Sequence, residues 1–209
     1  MKSDDTESED TGGIVLWNDA HPGPDMISTR TLGFWLYMLT DAMLFASIFT
    51  AYAILWHNNA GGPGVGQVVD LGYAFGETVL VFASVFAFGV AMAALKRGSH
   101  RSVVRWIGAA FLLGAGFLAM EIHEFAALAL QGIVPERSGF LSSYYTLVLT
   151  HGLHILFGLL WMAVMVAQVL RQGFTEGVVY RLLNLRIFWH FQALIWVFIF
   201  TFVYLQGKL

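Results

Sequence analysis

The sequence predicts an all-α integral membrane protein, a bundle of five transmembrane helices, for three reasons. Of the 209 residues 57% are hydrophobic and only 12% charged, with a mean hydropathy of +0.67, whereas soluble domains are about 25% charged. Five stretches are apolar over the roughly 20 residues that a membrane-spanning helix needs. Each is also much longer than a strand of a membrane barrel, and lipid-exposed backbone must satisfy its own hydrogen bonds.

The five stretches follow one another within a predicted transmembrane domain of residues 31–209. They are residues 31–56, 71–95, 104–130, 141–170 and 183–206. Residues 1–30 precede them as an acidic tail, beginning "MKSDDTESEDTGG", which lacks the apolar segment of a signal peptide. We therefore expect a soluble N-terminal tail followed by five membrane-spanning helices.

Lys and Arg lie mainly in the loops that follow the second and fourth stretches. These residues are Lys96, Arg97, Arg101, Arg105, Arg171, Arg181 and Arg186. The loops on the other side contain only Arg137. The positive-inside rule therefore predicts that the basic loops and the N-terminal tail are cytoplasmic and that the C-terminus lies outside.

The chain contains no cysteine. This excludes disulfides, thiolate metal sites, iron–sulfur clusters and the two-thiolate dinuclear copper centre from the chain itself.

A layer of ionisable side chains falls within the outer third of the predicted bundle. Its members are Glu77, Glu121, His123, Glu124, His151 and His154. Residues three apart share a helix face, so Glu121 with Glu124, and His151 with His154, can point inward together. Because intramembrane ionisable groups usually pair, we expect a carboxylate of the second or third stretch to hydrogen-bond His151 or His154. The alternative is that the layer lines a hydrated outer rim.

Depth estimates separate these histidines from two other polar positions. Counted at about 1.5 Å per residue from the nearest cytoplasmic Lys or Arg, His151 lies about 30 Å deep, His154 about 25 Å, Asp41 about 16 Å and His190 about 6 Å. These depths argue against a haem held by His190 together with His151 or His154. They do not exclude a haem held by His123 together with one of those two histidines. A di-iron site needs Glu-x-x-His on two helices, which "EIHE" and "HGLH" do not match.

Five segments resemble the successive spans of subunit III of haem–copper respiratory oxidases, and most of all the cytochrome bo type of ubiquinol oxidase. They are "GFWLYMLTDAMLFASIFTAYA", "GETVLVFASVFAFGVAM", "GAGFLAMEIHEF", "ERSGFLSSYYTLVLTHGLHILFGLLWM" and "FWHFQALIWVFIFTFVYL". The resemblance covers about residues 30–207 in order. The five-span length is also that of the quinol-oxidase version.

The resemblance implies a non-catalytic structural subunit of a proton-pumping oxidase in the inner membrane of an aerobic bacterium. In this family subunit III carries no haem or copper and packs on subunit I, which holds both, with subunits II and IV in the same complex. Its helices splay into two parts around a V-shaped cleft that holds phospholipid. No nucleic acid is expected as a partner.

The resemblance also assigns individual positions. Asp41 occupies the acidic position of "DAMLFASIF", on the side that faces subunit I. From its residue type alone, we expect a structural carboxyl group held by hydrogen bonds. His151 and His154 fall on the family's "HGLH". The sequence departs from the family at Ala193, where an Asp is common, and Gln192 offers a neutral amide beside it.

Two further interpretations concern groups outside the polar layer. Arg171, Arg181 and Arg186 give the topology signal and are candidates for binding a phospholipid headgroup. Small residues at helical spacing, among them Ala87, Ala91 and Ala110, predict close helix–helix contacts.

A second class of function stays open from the sequence alone. The chain would then be a haem b-binding membrane anchor, or a small transporter, that uses the outer Glu/His layer as its working site. The sequence has no inverted repeats with matching broken helices, which counts against a transporter.

Overall fold

The structure, a computed structural model, describes residues 26–208, with side chains from 32 to 207. Its helices are α1 (Met26–Leu55), α2 (Val65–Val68), α3 (Leu71–Lys96), α4 (His100–Leu130), α5 (Gly139–Gln172) and α6 (Glu176–Ile199). A π-helical segment, Phe200–Leu205, continues α6, and short 3-10 turns cover Pro135–Arg137 and Gln206–Lys208. Within the described range, five helices are long and apolar enough to cross a membrane, which confirms the predicted fold class.

Side-chain caps set the first residues of three membrane helices. Asp70 Oδ1 accepts hydrogen bonds from the backbone N–H of Gly72 and Tyr73 at the start of α3. Ser138 caps α5 and Thr175 caps α6 in the same way. Each cap satisfies N–H groups that the first helical turn leaves without a partner.

Two helices begin earlier than the predicted apolar stretches. Helix α6 begins at Glu176 rather than at residue 183 because Thr175 caps it there, so Arg181 and Arg186 lie on a helix and not in a loop. Helix α1 begins at Met26, within the predicted tail, while the part of it that is apolar enough to cross a membrane begins at Leu32. The remainder of the predicted tail, residues 1–25, lies outside the described residues.

The tightest packing joins α3 to α4. Ser84 on α3 donates its hydroxyl to the carbonyl oxygen of Ala110 on α4, at 2.7 Å. Ala87, Ala91 and Ala110 are all buried, as their spacing predicted. The small side chains let the two backbones approach closely, which is the usual way that helices associate in a bilayer.

Trp189 of α6 fills the centre of the bundle. Its indole N–H donates to Ser84 Oγ at 3.1 Å. Its ring lies directly against Gly114 of α4 and Gly158 of α5, where an added Cβ would come within 3 Å of the ring atoms. Four helices, α3 to α6, therefore meet at this one side chain.

Helix α1 is the most peripheral of the five long helices and packs mainly on α5 and α6. Between α1 and the second half of α6 lies an open cleft of about 1090 Å³. Its walls are mostly apolar, with Phe45 and Phe49 on α1 facing Phe198 and Phe202. The basic end of the bundle carries the α3–α4 and α5–α6 loops, and we call the other end, with residues 57–70 and 131–138, the opposite end.

Candidate functional site

A polar cluster joins α1, α5 and α6 in the middle of the bundle. Asp41 Oδ1 lies 2.9 Å from His154 Nε2, and the side-chain amide of Gln192 donates to Asp41 Oδ2 at 3.5 Å. Asp41 is only 7% exposed, so its carboxyl group faces the interior of its own chain. These contacts join the peripheral helix α1 to α5 and α6.

The hydrogen bonds of His154 define how the pair shares its protons. Its Nδ1 lies 2.7 Å from the carbonyl oxygen of Thr150, which can only accept, so Nδ1 carries a hydrogen. The contact between Nε2 and Asp41 then requires one further hydrogen, on either the imidazole or the carboxyl group. In both forms the pair has no net charge, which suits a site removed from water.

His151 lies one turn from His154 and is fully buried. Its Nε2 is 3.2 Å from the backbone carbonyl oxygen of Gln192, to which it donates. Gln192 therefore contacts both halves of the cluster, through its amide to Asp41 and through its backbone to His151. This is the neutral supporting contact that its position beside Ala193 suggested.

The predicted pairing of the two histidines was wrong. No hydrogen bond joins Glu77, Glu121 or Glu124 to either imidazole within the described chain, and the partner of His154 comes from the first span instead. The error came from the way in which depth was counted, from the nearest cytoplasmic Lys or Arg. Helix α5 has 34 residues, more than the roughly 20 that cross a bilayer, so counting from Arg171 placed His154 too deep.

Depths counted from a cytoplasmic arginine were also wrong for α6. Arg186, used as the cytoplasmic marker, lies well inside the helix that begins at Glu176. Gln192 is about four turns into α6 and reaches the layer of Asp41 and His151. His190, two residues earlier, is therefore not far below His151, and the depth argument against a haem between them does not hold.

A second cluster, which we call the carboxyl cluster, consists of Glu77, Glu121 and Glu124 towards the opposite end. All three side chains are buried, at 0%, 2% and 9% exposure, and Glu77 is within electrostatic reach of the other two. Tyr204 donates to Glu124 Oε2 at 3.1 Å, and the Tyr144 hydroxyl lies 3.3 Å from that of Tyr204.

The remaining carboxyl oxygens of this cluster have no protein partner. They are both oxygens of Glu77, both oxygens of Glu121 and Oε1 of Glu124. The sequence groups these glutamates in one layer but does not indicate Tyr144 or Tyr204 as their partners. Tyrosines near the ends of membrane helices usually serve as interfacial anchors, so their positions give no signal for a hydrogen bond.

His123, the last member of the predicted layer, does not enter the bundle. It is exposed, and its Nδ1 lies 3.3 Å from the hydroxyl of Tyr73. The Tyr73 hydroxyl donates to the carbonyl oxygen of Met120 at 2.8 Å. The predicted layer is thus divided into three parts: His151 and His154 in the central polar cluster, the three glutamates of the carboxyl cluster, and the exposed His123.

The three arginines proposed for lipid binding are exposed, and two of them, Arg171 and Arg181, lie near the basic end. Arg181 donates to Gln168 Oε1 at 2.9 Å, which brings it next to α5. Arg171 lies in the last turn of α5, and Arg186 lies on α6, further from the α5–α6 loop.

The described residues contain no group of three or more His, Asp and Glu side chains arranged to hold a metal ion. For a haem, His154 has both ring nitrogens in hydrogen bonds. His190 Nδ1 bonds the carbonyl oxygen of Arg186. Among the buried imidazole nitrogens of the described residues, His151 Nδ1 alone has no partner, and one free nitrogen does not supply the two convergent ligands of a bis-imidazole haem.

Comparisons with known proteins agree with the resemblance seen in the sequence. The chain is 46% identical over 185 residues to cytochrome bo(3) ubiquinol oxidase subunit 3 of Pseudomonas aeruginosa, covering 88% of each chain. It is 46% identical to the protein of the same name from Pseudomonas putida, over 85% of this chain and 86% of the relative. Cytochrome c oxidase subunit 3 of Bacillus subtilis is 37% identical, over 85% and 86%.

A family model described as cytochrome c oxidase subunit III matches residues 21–208. The match includes all five membrane helices and both polar clusters. The chain therefore belongs to the cytochrome c oxidase subunit III family.

Proposed function

We propose that the chain is the structural subunit III of a proton-pumping cytochrome bo-type ubiquinol oxidase. It packs on subunit I, which holds the haem and copper, in a complex that also contains subunits II and IV. The observation that carries the proposal is the 46% identity over 88% of both chains to a relative named as subunit 3 of such an oxidase. The electron donor follows from that relative's name.

The polar interior supports a structural role. Asp41 is in hydrogen-bond contact with His154 and Gln192, which joins three helices. A group that served a reaction would need access to a substrate, whereas these contacts hold α1 in place. The position of Asp41 on the side of the chain that faces subunit I remains part of the proposal.

The cleft between α1 and α6 supports the proposed binding of phospholipid. Its walls are mostly apolar, as acyl chains require. Trp56, His57 and Gln206 lie where the cleft reaches the opposite end, at the level of a lipid headgroup. Arg171 and Arg181 would bind a second headgroup at the basic end, by attraction to its phosphate.

Removal of the subunit from the complex tests the structural role. We expect a complex without subunit III to keep normal haem spectra and substantial initial oxygen uptake, and to lose activity faster than the complete complex during continued turnover. The measurement is oxygen uptake from the first seconds, with spectra of the same samples. Immediate loss of uptake with normal haem content would contradict the proposal.

The proposed orientation places the N-terminus in the cytoplasm and the C-terminus outside. Because the chain has no cysteine, single cysteines report on it directly. A membrane-impermeant thiol reagent should label Asn59→Cys, at the opposite end, in intact cells, and should label Ser99→Cys, in the α3–α4 loop, only after lysis. The reverse labelling pattern would invert the orientation.

A further inference from the structure

The carboxyl cluster is not used by the proposed structural role. Glu77 of α3 lies within electrostatic reach of Glu121 and Glu124 of α4, and Glu121 reaches across to α5. A Cβ at Gly152 would lie 2.5 Å from Glu121 Oε2, so the carboxyl group rests on the bare backbone of that glycine. Tyr204, from the π-helical segment after α6, closes the remaining side.

Three buried carboxyl groups within electrostatic reach of one another cannot all be ionised without a large cost in free energy. Among the described side chains, the basic group in contact with a carboxyl group is His154, whose partner is Asp41, so none of the three glutamates has a basic partner. Burial of an unpaired carboxylate is so unfavourable that the group takes up a proton instead, and neighbouring carboxylates increase the penalty.

Neutral carboxylic acids impose a further demand. Each has one O–H donor and a second oxygen that accepts, and five of the six oxygens in the cluster have no protein partner. The single exception, Glu124 Oε2, accepts from Tyr204. Buried water that bonds two to four polar groups is the usual way to satisfy such atoms.

Two polar side chains lie beside the cluster, and we call them its mouth. They are Tyr73, within electrostatic reach of Glu77 and Glu124, and His123, which contacts Tyr73 and is exposed. Glu77 lies one turn deeper than Tyr73 on α3, and Glu121 one turn deeper than Glu124 on α4. Asp70, at the start of α3, is the other acidic group near the mouth.

We propose that Glu77, Glu121 and Glu124 form a proton-binding site, in which neutral carboxylic acids are bridged by bound water and exchange protons with the aqueous phase at the opposite end. The ligands are water and protons. In the proposed orientation that phase is the outside of the cell. The site belongs to this chain, so the proposal does not depend on the role of subunit III in the complex.

Infrared spectroscopy of the intact purified complex tests the proposal. Wild-type spectra should contain carbonyl-stretching bands of protonated carboxylic acids that shift to lower frequency on transfer to D₂O. Glu77→Gln and Glu121→Gln should each remove the intensity of one such acid. Glu136→Gln, at an exposed position of the same end, is the control and should remove only the absorption of an ionised carboxylate.

The result that overturns the proposal is equally specific. Loss of ionised-carboxylate absorption in Glu77→Gln or Glu121→Gln, or bands that do not shift in D₂O, would show that the site holds no exchangeable protons. If a glutamine variant loses subunit III from the complex, Glu77→Asp replaces it, and its acid band should change frequency rather than disappear.

A separate variant tests whether protons reach the cluster by the proposed route, through His123 at the mouth. His123→Gln should leave the acid bands at full intensity while slowing their shift in D₂O several-fold, because the exposed imidazole relays protons to the cluster. An exchange rate equal to that of the wild type would overturn the assigned route.

Discussion

Gly158→Ala should lower the stability of the bundle by about 1–3 kcal/mol, the usual cost of adding atoms to a packed core. A Cβ at this position would lie 2.7 Å from Cζ3 and 2.9 Å from Cε3 of Trp189, and 3.0 Å from a ring carbon of Phe188. These are atoms of rigid rings, which cannot bend away as the end of a flexible side chain can.

Trp189 has no room to retreat from the added methyl group. The other edge of its indole ring lies against Gly114, where a Cβ would be 2.9 Å from Cζ2. Its N–H is held by Ser84 at 3.1 Å. A shift away from position 158 would therefore press the ring into α4 and weaken the bond to α3.

Matched variants separate this packing effect from helix propensity. Alanine favours a helix over glycine by about 1 kcal/mol, and that gain applies at every helical glycine. Gly89→Ala and Gly108→Ala are the controls, since no heavy atom lies within 4 Å of a Cβ at either position. The measurement is the temperature at which subunit III unfolds in the detergent-purified complex. Equal temperatures for Gly158→Ala and Gly108→Ala would refute the argument.

The sequence predicts the fold well because the bilayer imposes one condition on every span. A helix must be long and apolar, and that property is visible in composition alone. Errors arose where a helix extends beyond the apolar stretch. Helix α6 begins at Glu176 because a threonine caps it, and local capping does not appear in a hydropathy profile.

The polar partners were harder to predict because they depend on depth and on rotation about the helix axis. The sequence grouped His154 with the glutamates, yet its partner is Asp41, 113 positions away in the chain. Charged residues are poor depth markers when they lie on an exposed helix face, as Arg186 does. With the observed helix bounds, Asp41 and His154 both fall near the middle of their helices, and the pairing becomes predictable.

Asp41→Ala and His154→Ala should each destabilise the attachment of α1 by about 1–3 kcal/mol, the cost of leaving a buried polar partner unsatisfied. The double variant should cost less than the sum of the two. Once both groups are gone, neither remains buried without its partner. The coupling energy should lie between about 0.6 and about 1.7 kcal/mol, the average and the maximum of double-mutant cycles on polar contacts between membrane helices.

Asp41→Asn tests whether the contact between Asp41 and His154 requires an ionised carboxylate or only a hydrogen bond. The proton on His154 Nδ1 is committed to Thr150, so Nε2 of a neutral imidazole accepts a hydrogen bond. The amide of the asparagine variant can donate that bond in place of a protonated carboxyl group. Because the pair has no net charge in either of its proton arrangements, we expect Asp41→Asn to keep most of the stability that Asp41→Ala loses.

Unfolding measurements on these variants in mixed micelles, within the intact complex, supply the comparison. Thr40→Ala is the control, because the hydroxyl of Thr40 is exposed and bonds only within its own helix, to the carbonyl oxygen of Tyr37. Strict additivity of Asp41→Ala and His154→Ala would mean that the 2.9 Å contact contributes nothing to stability. An Asp41→Asn variant as unstable as Asp41→Ala would instead show that the pair must be ionised, since only the full charge on the carboxylate would then have been lost.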